Sequence, residues 1–236
     1  MPDEGLARHE QYRIALPAER VAYPPLPWKC ANATMINVYF EVRKAPMLER
    51  LPPEYCRTSP AYCRLTIIDN ADSPAGPFRD AALGLGARLN MMPAVFVAAS
   101  VTDNRQVLSA GLLERSYPNV LGKIDFEAGT ARAHAIISDA KGPLLEVEMP
   151  QLQTIEPSRL AYDHADGIRT LEDGGTELMV VGPELTIERA AICKNAAISY
   201  PAERPDSPWQ ILECRNVVSA QLVHGTREFK AGHQPR

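Results

Sequence analysis

Short apolar runs with a two-residue rhythm recur along most of this chain. Residues 34–42 (TMINVYFEV), 61–69 (AYCRLTIID) and 94–102 (AVFVAASVT) are rich in β-branched and aromatic side chains. Residues 131–138 (ARAHAIIS) and 144–149 (LLEVEM) read the same way, as do 177–181, 185–194 and 217–223. Such runs fit a pleated, half-buried surface, so each predicts a strand. Helical periodicity is scarce. Residues 45–51 (APMLERL) predict a helix of about two turns, stopped by Pro52, which cannot continue a helix. Many short strands separated by turn signals predict a mainly β chain folded as an antiparallel barrel or sandwich.

Proline sharpens the punctuation. There are 21 prolines, clustered at 24–27, 52–53, 74–77 and 201–208. Each removes a backbone donor, so these clusters mark turns and crossings between strands. The polar stretch 163–175 reads as a long loop or hairpin, with a lid as the sharper alternative. Gly84-Leu85-Gly86 lies in a strand-like context and predicts a bulge or a close backbone approach, not a phosphate cradle.

Composition narrows the function classes. At 45% hydrophobic residues, 236 residues can bury a sizeable core. The net charge of −4 disfavours a nucleic-acid surface or a polybasic membrane patch. No apolar run reaches the roughly 18–20 residues that span a bilayer. Five cysteines, an odd number without C-x-x-C spacing, disfavour a disulfide framework or a zinc site. The polar first 20 residues lack the apolar core of a signal peptide. Together these features predict a cytoplasmic protein with no nucleic-acid partner and no membrane partner. The five histidines show neither H-x-H nor H-E-x-x-H spacing, so no metal is expected. His134, in a strand-like run, reads as a core or cavity-wall residue, and Cys63 and Cys193 read as buried inert thiols.

One block is more specific. It contains Gly76-Pro77-Phe78-Arg79-Asp80, then Val101-Thr102-Asp103-Asn104, then Gly111-Leu112-Leu113-Glu114-Arg115-Ser116-Tyr117-Pro118-Asn119-Val120-Leu121-Gly122. This resembles the acetoacetate decarboxylase-like family, whose members carry a G-P-Y-x-E-type segment, a Y-x-D-N-like turn, and G-R-E followed by Tyr/Phe-Pro-Lys-Lys. A Pro-rich opening before the first strand, a short helix ending in Leu-Pro and the segment from Ser207-Pro208-Trp209 to Ala220 extend the resemblance over residues 20–225. It implies a β-rich α+β fold built around a closed antiparallel β barrel or cone, with a few short helices, an internal ligand cavity and homo-oligomerisation. It also implies an organisation of residues 1–20 as an extension, 21–225 as the barrel domain and 226–236 as a tail.

The family chemistry needs an amine. Decarboxylating a β-oxo acid leaves a carbanion, and an iminium accepts its electrons. The lysine must be neutral near pH 7, which desolvation and a neighbouring cation achieve; acetoacetate decarboxylase itself is the standard instance. Here Asn119 and Val120 follow Tyr117-Pro118 where the family has its paired lysines. Lys123 lies roughly 10 Å beyond Val120 along a strand and reads as a solvated strand-end residue. Other family positions change too. The family's arginine falls near Ala33, its strand carboxylate near Thr66, and its G-R-E triplet on Gly111-Leu112-Leu113.

The expected function is therefore an enzyme of lyase or isomerase type. It acts on a small-molecule oxo compound or oxo acid without a Schiff base and without a cofactor. Asp80, Asn119 and Arg115 are the candidate catalytic residues: Asp80 as acid–base, Asn119 and Arg115 as hydrogen-bond donors to a carbonyl or carboxylate. Arg88, Glu114, Tyr117 and Val120 are candidate substrate-binding residues. Asp80 and Arg115 also have plainer readings, as a turn cap and a surface strand residue. The alternative function is a non-catalytic binding protein that keeps the cavity, which the apolar Leu112, Leu113 and Val120 favour.

Overall fold

In a computed structural model, residues 3–13, 21–160, 165–171, 175–181 and 185–234 are described. Fourteen strands and three short α-helices are found among them. In chain order they are β1 (Trp28–Glu41), α1 (Lys44–Leu48), β2 (Tyr55–Arg57), β3 (Tyr62–Asp72), β4 (Phe78–Leu89), β5 (Met92–Thr102), α2 (Arg105–Glu114), β6 (Asn119–Ala128) and β7 (Arg132–Asp139). They continue as β8 (Gly142–Pro150), β9 (Gln153–Ile155), β10 (Ala165–Thr170), β11 (Thr176–Val181), β12 (Leu185–Cys193), β13 (Ala197–Ser199), α3 (Pro208–Ile211) and β14 (Asn216–Phe229). The protein is mainly β, as the strand rhythm predicts.

The strands follow one hydrogen-bonded path, β13-β8-β7-β6-β5-β4-β3-β1-β14-β12-β9. Most pairs are antiparallel, but β5 runs parallel to β6 and, over two residues, to β10. The β5–β6 exception follows from α2, whose ten residues return the chain to pair in the same direction. The sequence predicts a turn at residues 101–104 and no helix after it, so α2 is an addition to the expected elements. The signal for it is Asn104, whose side chain caps the helix by accepting from the amides of Gln106 (2.8 Å) and Val107 (3.2 Å).

The central strands alternate between a face packed into the main core and one that also carries polar side chains. Ile36, Val38 and Phe40 of β1, Leu65 and Ile67 of β3, and Leu83 and Leu85 of β4 point to the main core. The opposite face of these strands carries Asn37, Thr66 and Asp80. Gly84 lies at a register shift between β4 and β5, and a Cβ there would meet Val95 Cγ1 at 2.1 Å. A Cβ at Gly86 would meet the Tyr62 ring at 2.1 Å. The two glycines thus mark the bulge and the close approach that their spacing suggests.

Several expectations are modified. The β10–β11 hairpin spans Ala165–Val181, while 163–164 and 172–174 of the expected loop or lid lie outside the described residues. His134 is neither core nor cavity wall: on the half-exposed face of β7, its Nε2 lies 2.8 Å from Glu146 Oε1. Cys63 and Cys193 are buried, and burial pushes the Cys63 thiol well above its ordinary pKa. At the N-terminus, Gly5 donates to Tyr55 O (3.0 Å) and Ala7 to Leu51 O (2.9 Å), so this segment packs on α1 and β2. The boundary expected at residue 225 falls inside β14, and His233 bridges to Val180.

The segment before α3 is tied to the β7–β8 turn by a two-pronged ion pair. Arg204 Nη1 and Nη2 donate to Asp139 Oδ1 (2.8 Å) and Oδ2 (2.7 Å). The guanidinium, helped by the Lys141 amide, holds the Asp139 carboxyl below its ordinary pKa. A depressed folded-state pKa contributes stability that is present above the unfolded value and lost as pH falls through the folded one. Asp139→Asn is therefore expected to lower stability at pH 7 by roughly 1.5 kcal/mol, the lower range for hydrogen bonds to charged groups. The gap to wild type should close as pH falls below 4. Thermal melts across pH check this, and a gap unchanged at low pH contradicts it.

Candidate active site

The face of the sheet opposite the main core lines a cavity of about 390 Å³. Alternation puts every second residue there: Met35 and Asn37 of β1, Arg64, Thr66 and Ile68 of β3, Asp80, Ala82 and Gly84 of β4, Val95 and Val97 of β5. Cross-strand register aligns them in rows, Asn37 with Thr66 and Ala82, and Met35 with Ile68 and Asp80. Arg227 enters from β14, and Arg115 and Tyr117 from the segment after α2. Apolar side chains from the later strands and loops, including Leu160, Val181 and Ile187, cover the rest of the wall.

Two buried guanidinium groups dominate the polar part. Arg227 clamps Asp80 with two bonds, Nη1 to Oδ1 at 2.7 Å and Nη2 to Oδ2 at 3.1 Å. Their side chains are 2% and 13% exposed, so the pair is shielded from water. Asn70 ties it further: its Nδ2 donates to Asp80 Oδ1 (3.0 Å) and its Oδ1 accepts from Arg227 Nη1 (3.3 Å). Arg227 reaches across β1 and β3 to do this. Ala33 pairs with both Asn70 and Gly225 in that path, and residues this small leave room for the arginine to cross.

Arg115 is held differently. Its guanidinium carbon lies 4.3 Å from the centroid of the Tyr117 ring and 4.1 Å from that of Phe229, and Nη2 donates to the Tyr117 hydroxyl at 3.1 Å. Phe229 in turn stacks on Trp28, with centroids 4.8 Å apart. Desolvated cation–π contacts of this kind are worth about 2 kcal/mol. Ser116, between the two site residues, has a left-handed φ of +62° and redirects the chain as it leaves α2. With Arg64, the lining holds three guanidinium groups against one carboxylate, Asp80, among the described residues.

Of the candidate catalytic and binding residues, Asp80, Arg115 and Tyr117 meet at this cavity, together with Thr66 at the family's strand-carboxylate position. Asn119 does not line it: its amide packs on α2, where a Cβ at Gly111 would lie 2.1 Å from Nδ2. Arg88 is exposed, at a position of β4 paired with Pro93. Glu114 ends α2 and accepts from the Tyr23 hydroxyl at 2.8 Å. Val120 is exposed and borders a separate groove near Trp209. Lys123 is a surface residue, 2.7 Å from Asp125. Arg115 is a buried helix C-cap, not a surface strand residue. Sequence reading misses Asn37, Arg64, Asn70 and Arg227. The alternation of Arg64 and Thr66 with Cys63, Leu65 and Ile67 is a usable signal, whereas Arg227, in a polar terminal run, has none.

Residues 14–233 match the family described as acetoacetate decarboxylase (ADC). The chain belongs to the acetoacetate decarboxylase family. A solved acetoacetate decarboxylase shares the fold with a TM-score of 0.82 at 14% identity, over 95% of this chain and 96% of that one. The acetoacetate decarboxylase of Legionella pneumophila subsp. pneumophila str. Philadelphia 1 gives 0.82 at 15% identity, over 94% and 93%. The enduracididine biosynthesis enzyme MppR, solved in complex with pyruvate, gives 0.73 at 11% identity, over 92% of each chain. No curated protein matches the sequence. Among the described residues that line this chain's cavity there is no lysine.

Removing one partner of a buried, hydrogen-bonded ion pair leaves an uncompensated charge, at a cost of about 3–5 kcal/mol. Asp80→Asn and Arg227→Met are each expected to lower stability by this order. The double variant is expected to cost clearly less than the sum, because it buries no orphaned charge. Urea unfolding of the four proteins measures the coupling, and strict additivity would contradict the pairing.

Proposed function

We propose that this member of the acetoacetate decarboxylase family is a small-molecule enzyme of lyase or isomerase type that acts on an oxo acid by proton transfer, without forming a Schiff base. The observation that carries the reading is the cavity's chemical inventory: three guanidinium groups, one carboxylate, one phenol and no primary amine among its described residues. Guanidinium groups stay protonated and do not form imines under these conditions. They recognise carboxylates through paired N–H donors.

In this scheme Arg115, preset by Tyr117 and Phe229, takes the substrate carboxylate, with Arg64 adding positive potential. Asp80 moves the proton, and Tyr117 donates its O–H to a second oxygen. The apolar wall takes the carbon chain. Asn119, Arg88, Glu114 and Val120 carry no direct role in it, since they do not line the cavity. Homo-oligomerisation, which the family resemblance implies, is part of the proposal and is checked by light scattering.

A second reading, a non-catalytic carboxylate-binding protein, is favoured by one observation. Both oxygens of Asp80 are already engaged by Arg227, which restrains Asp80 as a base.

Incubation with pyruvate or another oxo acid and borohydride, followed by intact mass, is expected to show no adduct on the folded protein. A trapped adduct of stoichiometric yield would falsify the imine-free scheme. Against a panel of oxo acids, turnover is expected to fall roughly 10²–10⁴-fold in Asp80→Asn, the usual weight of a general acid–base group. Thermal stabilisation by the same acids without turnover in wild type establishes the binding reading instead.

A further inference from the structure

Asn37 sits in the middle of β1, 1% exposed, with its side chain on the cavity wall. Its Oδ1 accepts from the Thr66 hydroxyl at 2.7 Å. Its Nδ2 is buried and finds no acceptor among the described residues. Buried polar groups are nearly always hydrogen-bonded, so an orphaned donor on a cavity wall calls for an explanation. The strand does not need an amide here. Ile36 and Val38 on either side are fully buried apolar residues, and leucine shares the γ-branched heavy-atom skeleton of asparagine. Thr66 fixes which end of the amide is presented. With Oδ1 engaged by Thr66, Nδ2 is the end of the amide left unsatisfied on the cavity wall.

We propose that Asn37 is a specificity-determining residue that reads a second, uncharged oxygen on the substrate, the oxo oxygen, through Nδ2, and that Thr66 is the positioning residue that orients it. This rests on the reading of the cavity as an oxo-acid site. The guanidinium groups there supply recognition of the carboxylate. A neutral amide adds little to that, but it matches a carbonyl acceptor. A site built to hydrogen-bond a substrate oxygen discriminates against the analogue lacking it, because its own buried group is then left unsatisfied. The oxo oxygen of the acid is thus read at Asn37, separately from the carboxylate, with an apolar chain against Leu160, Val181 and Ile187.

The test uses hexanoate and its stable 2-, 4- and 5-oxo derivatives as probes, with affinities measured by calorimetry on wild type, Asn37→Leu and Thr66→Val. Wild type is expected to prefer its best oxohexanoate over hexanoate by about tenfold, the weight of one net hydrogen bond. Asn37→Leu should erase that preference while leaving hexanoate affinity within about twofold, which also shows that its cavity is intact. Thr66→Val, which frees the amide to rotate, should reduce the preference without erasing it. A preference that survives Asn37→Leu, or equal weakening of all four acids, overturns the assignment while the oxo-acid reading stands. Failure of all four acids to bind folded wild type overturns both.

Discussion

Burying a guanidinium without water is costly, and this fold does it twice beside one cavity. The effective penalty is several kcal/mol per ion unless hydrogen bonds and packing offset it. Arg227 is offset by charge, through the two-pronged contact with Asp80 and the bracing amide of Asn70. Arg115 is offset by aromatic faces, between Tyr117 and Phe229. Phe229 serves both, since Arg227 also lies over its ring at 5.2 Å. The packing of Trp28 and Phe78 around Phe229 is therefore part of the site's electrostatics as well as its core. Register must hold across β4, β3, β1 and β14 for these groups to meet, because a one-residue slip in any strand would turn its contributor away.

Much of the fold is legible in the sequence because its strands obey a simple rhythm. Residues 34–42, 61–69 and 94–102 fall within β1, β3 and β5, apart from one flanking residue on each of the first two. β4 is less legible. Its run FRDAALGLGARL is rich in alanine and glycine, which strands disfavour, and it is held by neighbours that fill the missing side chains, Val95 at Gly84 and Tyr62 at Gly86. Helix α2 is hidden by the apolar residues it shares with strands, and only the Asn104 cap marks its start.

The site divides along the same line. Asp80, Arg115 and Tyr117 stand in motifs that the family resemblance makes visible. Arg227 is contributed by a strand some 150 residues later than Asp80, and nothing local announces a contact made through four adjacent strands. Asn119 illustrates the opposite failure. Its position in the Tyr-Pro motif suggested a role in the cavity, yet the space left by Gly111 draws its amide onto α2. A motif sets the backbone path, and the packing of the nearest element then decides where a short side chain points.

Among its described residues this cavity carries an excess of fixed positive charge, one tethered carboxylate and no amine. On the proposed reading that balance suits an anionic oxo acid held by hydrogen bonds, with no primary amine among the described lining residues to form an imine. A crystal structure of the protein soaked with a stable oxo acid tests this most directly. The account predicts an intact ligand, its carboxylate within hydrogen-bond distance of Arg115 and its carbonyl carbon bonded to no protein atom. Continuous density from that carbon to a side-chain nitrogen, or a carboxylate directed away from the arginines, would contradict it.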